Sequence, residues 1–209
     1  MRNFFKVVKD KLKAIVNKVF VKEKPILQIK IREILKKHLI NHPTYFLLSS
    51  GSLNADFGFH RGEGASRANA VVDAVVYSIN IDYINTKIGL GELQVNMIPN
   101  YDYLYSLHEA VVINSSKKVQ VGITSDKLNW LYWILEKGGE IVITNYSISK
   151  GAYPNTYSRS EEAIMIPGNN WKVPSEVAGT RSDNWITQSI YNAETEILEL
   201  MKNKFVEIV

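Results

Sequence analysis

The chain has no cysteine among its 209 residues. That absence excludes disulfides, thiolate zinc sites and thiol catalysis together. No apolar run approaches the roughly 18 residues a membrane span requires. The N-terminus lacks the uninterrupted apolar region and small-residue cleavage site of a signal peptide, because lysines punctuate it throughout. Synthesis in a reducing cytoplasm fits these absences. Internal repeats and low-complexity segments are also missing. What is present is ordinary for a folded soluble protein: 45% hydrophobic and 22% charged residues, in a chain long enough for one sizeable core with a small appended element.

The formal net charge of +4 hides an asymmetry. Residues 1–42 hold twelve Lys/Arg against Asp10, Glu23 and Glu33, about +9, which leaves about −5 for residues 43–209 by difference. A basic arm on a mildly acidic body suggests contact with nucleic acid, an acidic protein surface or an anionic membrane.

Periodicity divides the chain further. From Asn3 to Lys22, the residues Phe4, Val8, Leu12, Ile15, Val16 and Val19 recur at spacings of three and four, one apolar stripe flanked by lysines. Pro25 is expected to end this helix, making 1–24 a basic amphipathic arm and 25–209 an α+β domain. The arm reads as a membrane-surface or nucleic-acid element, or as a helix docked on a neighbouring subunit with its lysines solvated. A second helix is expected from Ile26 to about Ile40, on Leu27, Ile31, Ile34 and Leu35, closed by Pro43. Alternation predicts strands near 70–83, 93–98, 109–114, 119–124 and 140–148, with a short one at Glu162–Ile166. Between them, Val119–Gly139 reads as a strand that turns at Ser125-Asp126 into an aromatic-rich helix over 126–137, stopped by the left-handed-tolerant Gly138. Residues Pro167 to Asp183 read as irregular, and a long amphipathic helix spans about Trp185 to Val206. The fold class is α+β: an antiparallel sheet packed by helices, with a basic N-terminal helical arm and a long C-terminal helix.

Chemistry is sparse. His60, Arg61 and Glu63, with Arg67 and His108, could supply a general base and a phosphate-binding arginine, as a small nuclease or toxin enzyme needs. Yet glycines flank the cluster as in an ordinary exposed loop, and no second histidine stands at metal spacing. His38 and His42 share a helical face at a spacing that can bind a metal, but the lysines around them repel a cation. Gly89-Leu90-Gly91 lacks the Lys-Ser/Thr of a phosphate loop and precedes a strand. No catalytic centre, metal or cofactor is expected. Trp130 and Trp133 share a helical face and are either core or interface, since tryptophan is enriched at interface hot spots. Trp171 and Trp185 lie in or just after the irregular segment.

The order of these pieces resembles the neck or tail-completion proteins of tailed bacteriophages, the small proteins that join head to tail. An initial long helix is followed by Ser50-Gly51-Ser52-Leu53, similar to the family's Thr-Gly-x-Leu turn that leads into strands. Val119-Gln120-Val121-Gly122 is similar to its V-x-V-G strand, and Leu131 to Gly138 to its helix end, with Trp133 where the family has a small residue. Arg181 to Ile186 occupies the place of its Arg-Pro-Phe lead into the last helix, without the proline. The similarity spans roughly residues 26–205 and leaves the arm unaccounted for.

The resemblance implies a non-enzymatic virion protein that forms a homo-oligomeric ring at the head–tail junction. Its partners would be a portal or connector ring and tail proteins, with phage DNA passing through the lumen without sequence-specific binding and no membrane involved. Head-to-tail contacts that close by rotation make such a ring from one protomer type. A lumen that lets DNA pass should avoid tight phosphate binding, and a mildly acidic body suits that. Interface candidates are Phe4, Val8, Leu12 and Val19 on the arm, the four tryptophans 130, 133, 171 and 185, and the loop residues Tyr153 and Tyr157.

Overall fold

Leu27, Ile31, Leu35 and Leu39 recur every fourth residue and all are buried, so one face of the first helix is committed to the core. In the computed structural model that helix, α1 (Arg2–Ile40), continues through Pro25. The expected break at Pro25 is therefore overturned. A proline inside a helix leaves the carbonyl four residues back without its partner. Here both Val21 and Pro25 are exposed, so that carbonyl stands on the watered side. On the other side Phe20 and Leu27 are buried, and Lys24 pairs with Asp82 at 3.5 Å. Packing holds the helix together across the proline.

The structure describes residues 2–57, 59–60, 62–84, 86, 92–97, 99–100, 104, 110–111, 127–128, 130–151 and 163–206. After α1 come α2 (Pro43–Ser49), α3 (Ser52–Asp56), α4 (Glu63–Tyr77), β1 (Asn80–Ile84), β2 (Glu92–Asn96), β3 (Ala110–Val111), β4 (Lys127–Leu128) and α5 (Trp130–Leu135). Then follow β5 (Ile141–Ile143), β6 (Tyr146–Lys150), β7 (Ala163–Pro167), β8 (Trp171–Lys172) and α6 (Trp185–Val206). This is the α+β class. Among the described residues the strands form four antiparallel pairs, β1–β2, β3–β4, β5–β8 and β6–β7, in place of one continuous sheet.

Three local expectations are corrected. Ala70–Tyr77 belongs to helix α4, whose buried residues Gly64, Ala68, Val71, Val72, Val75 and Val76 follow helical spacing, while Tyr77 faces out. Only Asn80–Ile84 is strand. The alternation seen around Val75 was the tail of a helical stripe running into a true strand. The segment 140–148 is two strands, parted where Asn145 takes a left-handed φ of 60°. The aromatic helix starts at Trp130, because Lys127-Leu128 instead pairs with Ala110-Val111. The strand expected at 119–124 and its turn at Ser125-Asp126 lie outside the described residues, as does Gly89-Leu90-Gly91. The Ser50–Leu53 turn leads into α3 and α4 and not into strands.

Two glycines set close approaches. A side chain at Gly64 would collide with Leu48 O, where α2 crosses α4, and Gly64 N donates to Asn54 Oδ1 at 3.1 Å. Gly138 serves as a contact point and not as a left-handed stop: a Cβ there would strike the backbone of Ala178. Gly138 N donates to Gly179 O at 3.3 Å, and Gly179 N to Ile134 O at 2.8 Å.

The closing helix α6 runs antiparallel to α1. His42 meets Gln188 near one end, Lys37 meets Glu196 midway, and Lys30 and Leu200 line one groove further on. Ile186, Ala193 and Ile197 of α6 join the same core as Leu27 to Leu39, with the valines of α4, Ile79 and Ile81.

Candidate functional site

The cluster with the most chemical potential in the sequence is a helix-start clasp in the structure. Gly62, at φ 82°, places Glu63 at the first position of α4. One Glu63 oxygen accepts from His60 N at 2.8 Å, and the other accepts from Arg67 Nε and Nη2 at 3.1 and 2.6 Å. A carboxylate there satisfies a free amide and complements the helix dipole. Arg67 in turn lies over the Phe59 ring, 4.9 Å from its centroid. Both oxygens of Glu63 are thus engaged in holding the loop to the helix, and the His60 side chain is exposed. Arg61 and His108 lie outside the described residues. Among the described residues no group of three or more His, Asp or Glu could hold a metal ion.

The tryptophans belong to the interior. Trp130, Trp133 and Trp185 are buried in the protomer's own core, so the expectation that they face a partner is corrected. Trp130 meets Phe59 edge-on at 5.5 Å and Phe57 at 6.1 Å, and half-buried Trp171 meets Phe57 edge-on at 5.7 Å. The Phe57 and Phe59 pair escaped the sequence reading because it sits in a glycine-rich stretch that reads as loop. Trp185 Nε1 donates to Leu39 O at 3.0 Å, satisfying a carbonyl at the end of α1 that has no partner within the helix. Beside it, the Asn184 side chain caps α6 through Ile186 N and Thr187 N, at 3.0 and 3.1 Å, and donates to Thr180 O at 2.9 Å and Leu135 O at 3.3 Å. The segment likened to the family's lead into the last helix is therefore a knot that ties α1, α5 and α6.

The two histidines at metal spacing are a clamp between helices. His42 Nε2 contacts Gln188 Oε1 at 2.8 Å, and its Nδ1 accepts from Thr44 N as the cap of α2. His38 Nε2 lies 3.3 Å from Glu196 Oε2, which Lys37 Nζ also approaches at 3.0 Å. Hydrogen bonds from Lys37 first and His38 second hold the Glu196 carboxyl below its ordinary range. Nothing in the sequence pairs positions about 158 residues apart.

Asp56 is the charged group the sequence reading passed over. It is buried at the end of α3, and burial pushes its carboxyl up from the usual range, partly countered by Lys150. Lys150 Nζ reaches Asp56 Oδ1 at 3.2 Å from the end of β6, yet neither oxygen has a well-directed hydrogen bond. The pair joins α3 to the β6–β7 ribbon. Its isolation from other titratable groups gives it no acid–base partner for chemistry among the described residues.

The surface offers more than the interior. On α1, Val8, Leu12, Ile15, Ile26 and Ile29 are 38, 43, 57, 47 and 55% exposed, with Val19 half-buried among them. This stripe lies on the side of α1 away from Leu27, Ile31 and Leu35; exposed Lys11 and Lys18 border it, and exposed Lys22 lies within it. The inner side of the same stretch is anchored: Phe20 is buried against Tyr83, ring centroids 5.8 Å apart, and Lys13 Nζ donates to Thr86 O. The Phe4 side chain, Tyr153 and Tyr157 lie outside the described residues. No described helix is long and apolar enough to cross a membrane. Comparison with family models, with curated proteins and with solved structures finds no match to this chain.

Proposed function

We propose that this chain is a non-enzymatic structural subunit that acts in many copies, of the kind that forms a ring at the head–tail junction of a tailed phage. In that role it would sit in the virion between a portal or connector ring and tail proteins, with DNA passing through the lumen and no sequence-specific grip on it. The observation that carries the reading is the exposed apolar stripe along α1, on a protomer in which, among the described residues, the tryptophans and most other large apolar groups are buried or half-buried. A contiguous apolar face on a soluble protein marks a contact with another molecule. The sequence resemblance to neck proteins, and the engagement of Glu63 in a helix-start clasp, support the same reading. The acidic balance of residues 43–209 suits a lumen that must not hold phosphates.

Class averages of the purified protein by electron cryomicroscopy, alone and in particles from an infected lysate, test the proposal. A closed ring, or density for this chain between head and tail, is the expected result. A folded monomer that degrades DNA, RNA or a sugar polymer, and loses that activity in His60→Ala, would overturn it.

A further inference from the structure

Strands β5 to β8 make one hairpin with a bend in its middle, and its two halves are held differently. The half formed by β5 and β8 is anchored: Val142 and Ile143 are buried, as is Val173 just past β8. In the other half, no residue of β6 is buried, and only Tyr146 at its base packs on the core. Ile166 of β7, paired with Ser147, is 39% exposed. A two-stranded ribbon is marginally stable at best in water, so what β6–β7 rests on decides whether it stays formed.

The bend itself is polar. Asn145 stands at φ 60°, a left-handed conformation that asparagine adopts more readily than most residues. Asn145 N donates to Asn170 Oδ1 at 2.8 Å, and Gly168 N donates to Asn145 O at 3.2 Å. These bonds fix a pivot. Four residues past Tyr146, about 13 Å along the strand, Lys150 returns to the body. Its Nζ lies 3.2 Å from Asp56 Oδ1, with the Lys150 side chain 51% exposed and that of Asp56 only 1%. Neither oxygen of Asp56 has a well-directed hydrogen bond. Helices α2 and α3 carry no other charged residue, and Glu63 and Arg67 at the start of α4 are bonded to each other. Among the described residues, the counter-charge of the buried carboxylate therefore comes from the far end of β6.

We propose that the β6–β7 ribbon is a hinged flap, pivoting at Asn145 and Gly168 and latched to the body by Lys150 on Asp56. A buried ion pair adds little net stability, yet removing one partner is costly because the other charge is left buried alone. Without the ammonium, Asp56 is driven toward water. The part that gives way is the ribbon, which among the described elements packs appreciably only on β8. The docking of the ribbon is thus under the control of one half-exposed amino group. The device needs a single protomer and does not rest on the multi-copy reading.

Backbone hydrogen exchange of the full chain, read by mass spectrometry, tests it. In the native protein, amides of 146–150 and 163–167 should exchange faster than those of α4 and α6. Lys150→Met should speed ribbon exchange at least about tenfold while α4 and α6 keep their native rates. Adding Asp56→Asn to that variant should bring the ribbon most of the way back, because a neutral amide needs no counter-charge. Unchanged ribbon exchange in Lys150→Met, or a double variant as fast as the single one, would overturn the latch. If Lys150→Met does not fold, the native chain decides: ribbon amides that exchange no faster than those of α4 and α6 make the ribbon part of the core and overturn the flap.

Discussion

The two halves of α1 have similar composition and opposite fates. Between Phe20 and Leu39 one apolar face, Phe20, Leu27, Ile31, Leu35 and Leu39, is buried against α4, α6 and β1, while Val21, Ile26 and Ile29 on the other side stay exposed. Between Val8 and Ile15 they stand in water, although lysines and aliphatic residues alternate in both halves. Amphipathic spacing requires only that an apolar face be covered. Whether the cover comes from the same chain or from another depends on how far the body extends along the helix. Here the body grips α1 firmly from about residue 20 onward, and nearer the N-terminus Lys13 Nζ donates to Thr86 O.

Matched substitutions sharpen that contrast most. Leu35→Ala should cost about 2–5 kcal/mol in chemical denaturation, because it opens a cavity in the common core. At protein concentrations where the chain is monomeric, Ile15→Ala should leave the same measurement within about 0.5 kcal/mol, as at a surface position. Equal losses at both sites would mean that the N-terminal half belongs to the protomer's own core.

The anchored end can be loosened at one atom. Trp185→Phe keeps most of the ring but removes the donor to Leu39 O. His42 N still reaches that carbonyl at 3.4 Å, so the cost should be that of one hydrogen bond, about 0.5–1.5 kcal/mol. Faster hydrogen exchange should appear at the C-terminal turn of α1 before it appears near Phe20.

The junction between the halves can be strengthened. Pro25→Ala restores a donor to the carbonyl at Val21 and removes the ring that opposes it, so helicity should rise and stability should increase by up to about 1–3 kcal/mol. A loss of stability would show that the proline is required for the path of the helix.

The smallest effect belongs to the clamp on Glu196. Its carboxyl is held below the ordinary range, so its contribution is present above the unfolded carboxylate range and lost as pH falls through the lowered value. Glu196→Gln should therefore lower the melting temperature slightly near neutral pH. The gap from the native protein should close in acid. A gap that widened in acid would mean that Glu196 titrates upward and is no clamp.

The correspondence between sequence and structure follows the range of the forces involved. The C-terminal helix spans Trp185–Val206, matching its expected range, because its apolar residues repeat over many turns and a capping asparagine stands just before it. The stretch 70–83 misled, since Val75, Tyr77, Ile79 and Ile81 satisfy an alternating pattern while Ala68, Val71, Val72 and Val75 satisfy a helical one. Burial on the helical set decided the matter. Of the candidate site, the arm's exposed stripe was legible, as Val8, Leu12 and Ile15 show. The inward Trp130, Trp133 and Trp185 were not, because a tryptophan's spacing says that it needs cover and does not say from where.

By itself the sequence determined the basic first helix, the mildly acidic body, the α+β class, the closing helix and the absence of thiol chemistry. These follow from composition and from periods read within a few turns. Only the tertiary structure decided that α1 runs through Pro25 and that Glu63 serves a helix start. It alone set Trp185 on the last turn of α1 and left the outer face of α1 open. Each of those depends on contacts between residues far apart in the chain, whose free energies exist only once the body has assembled around them.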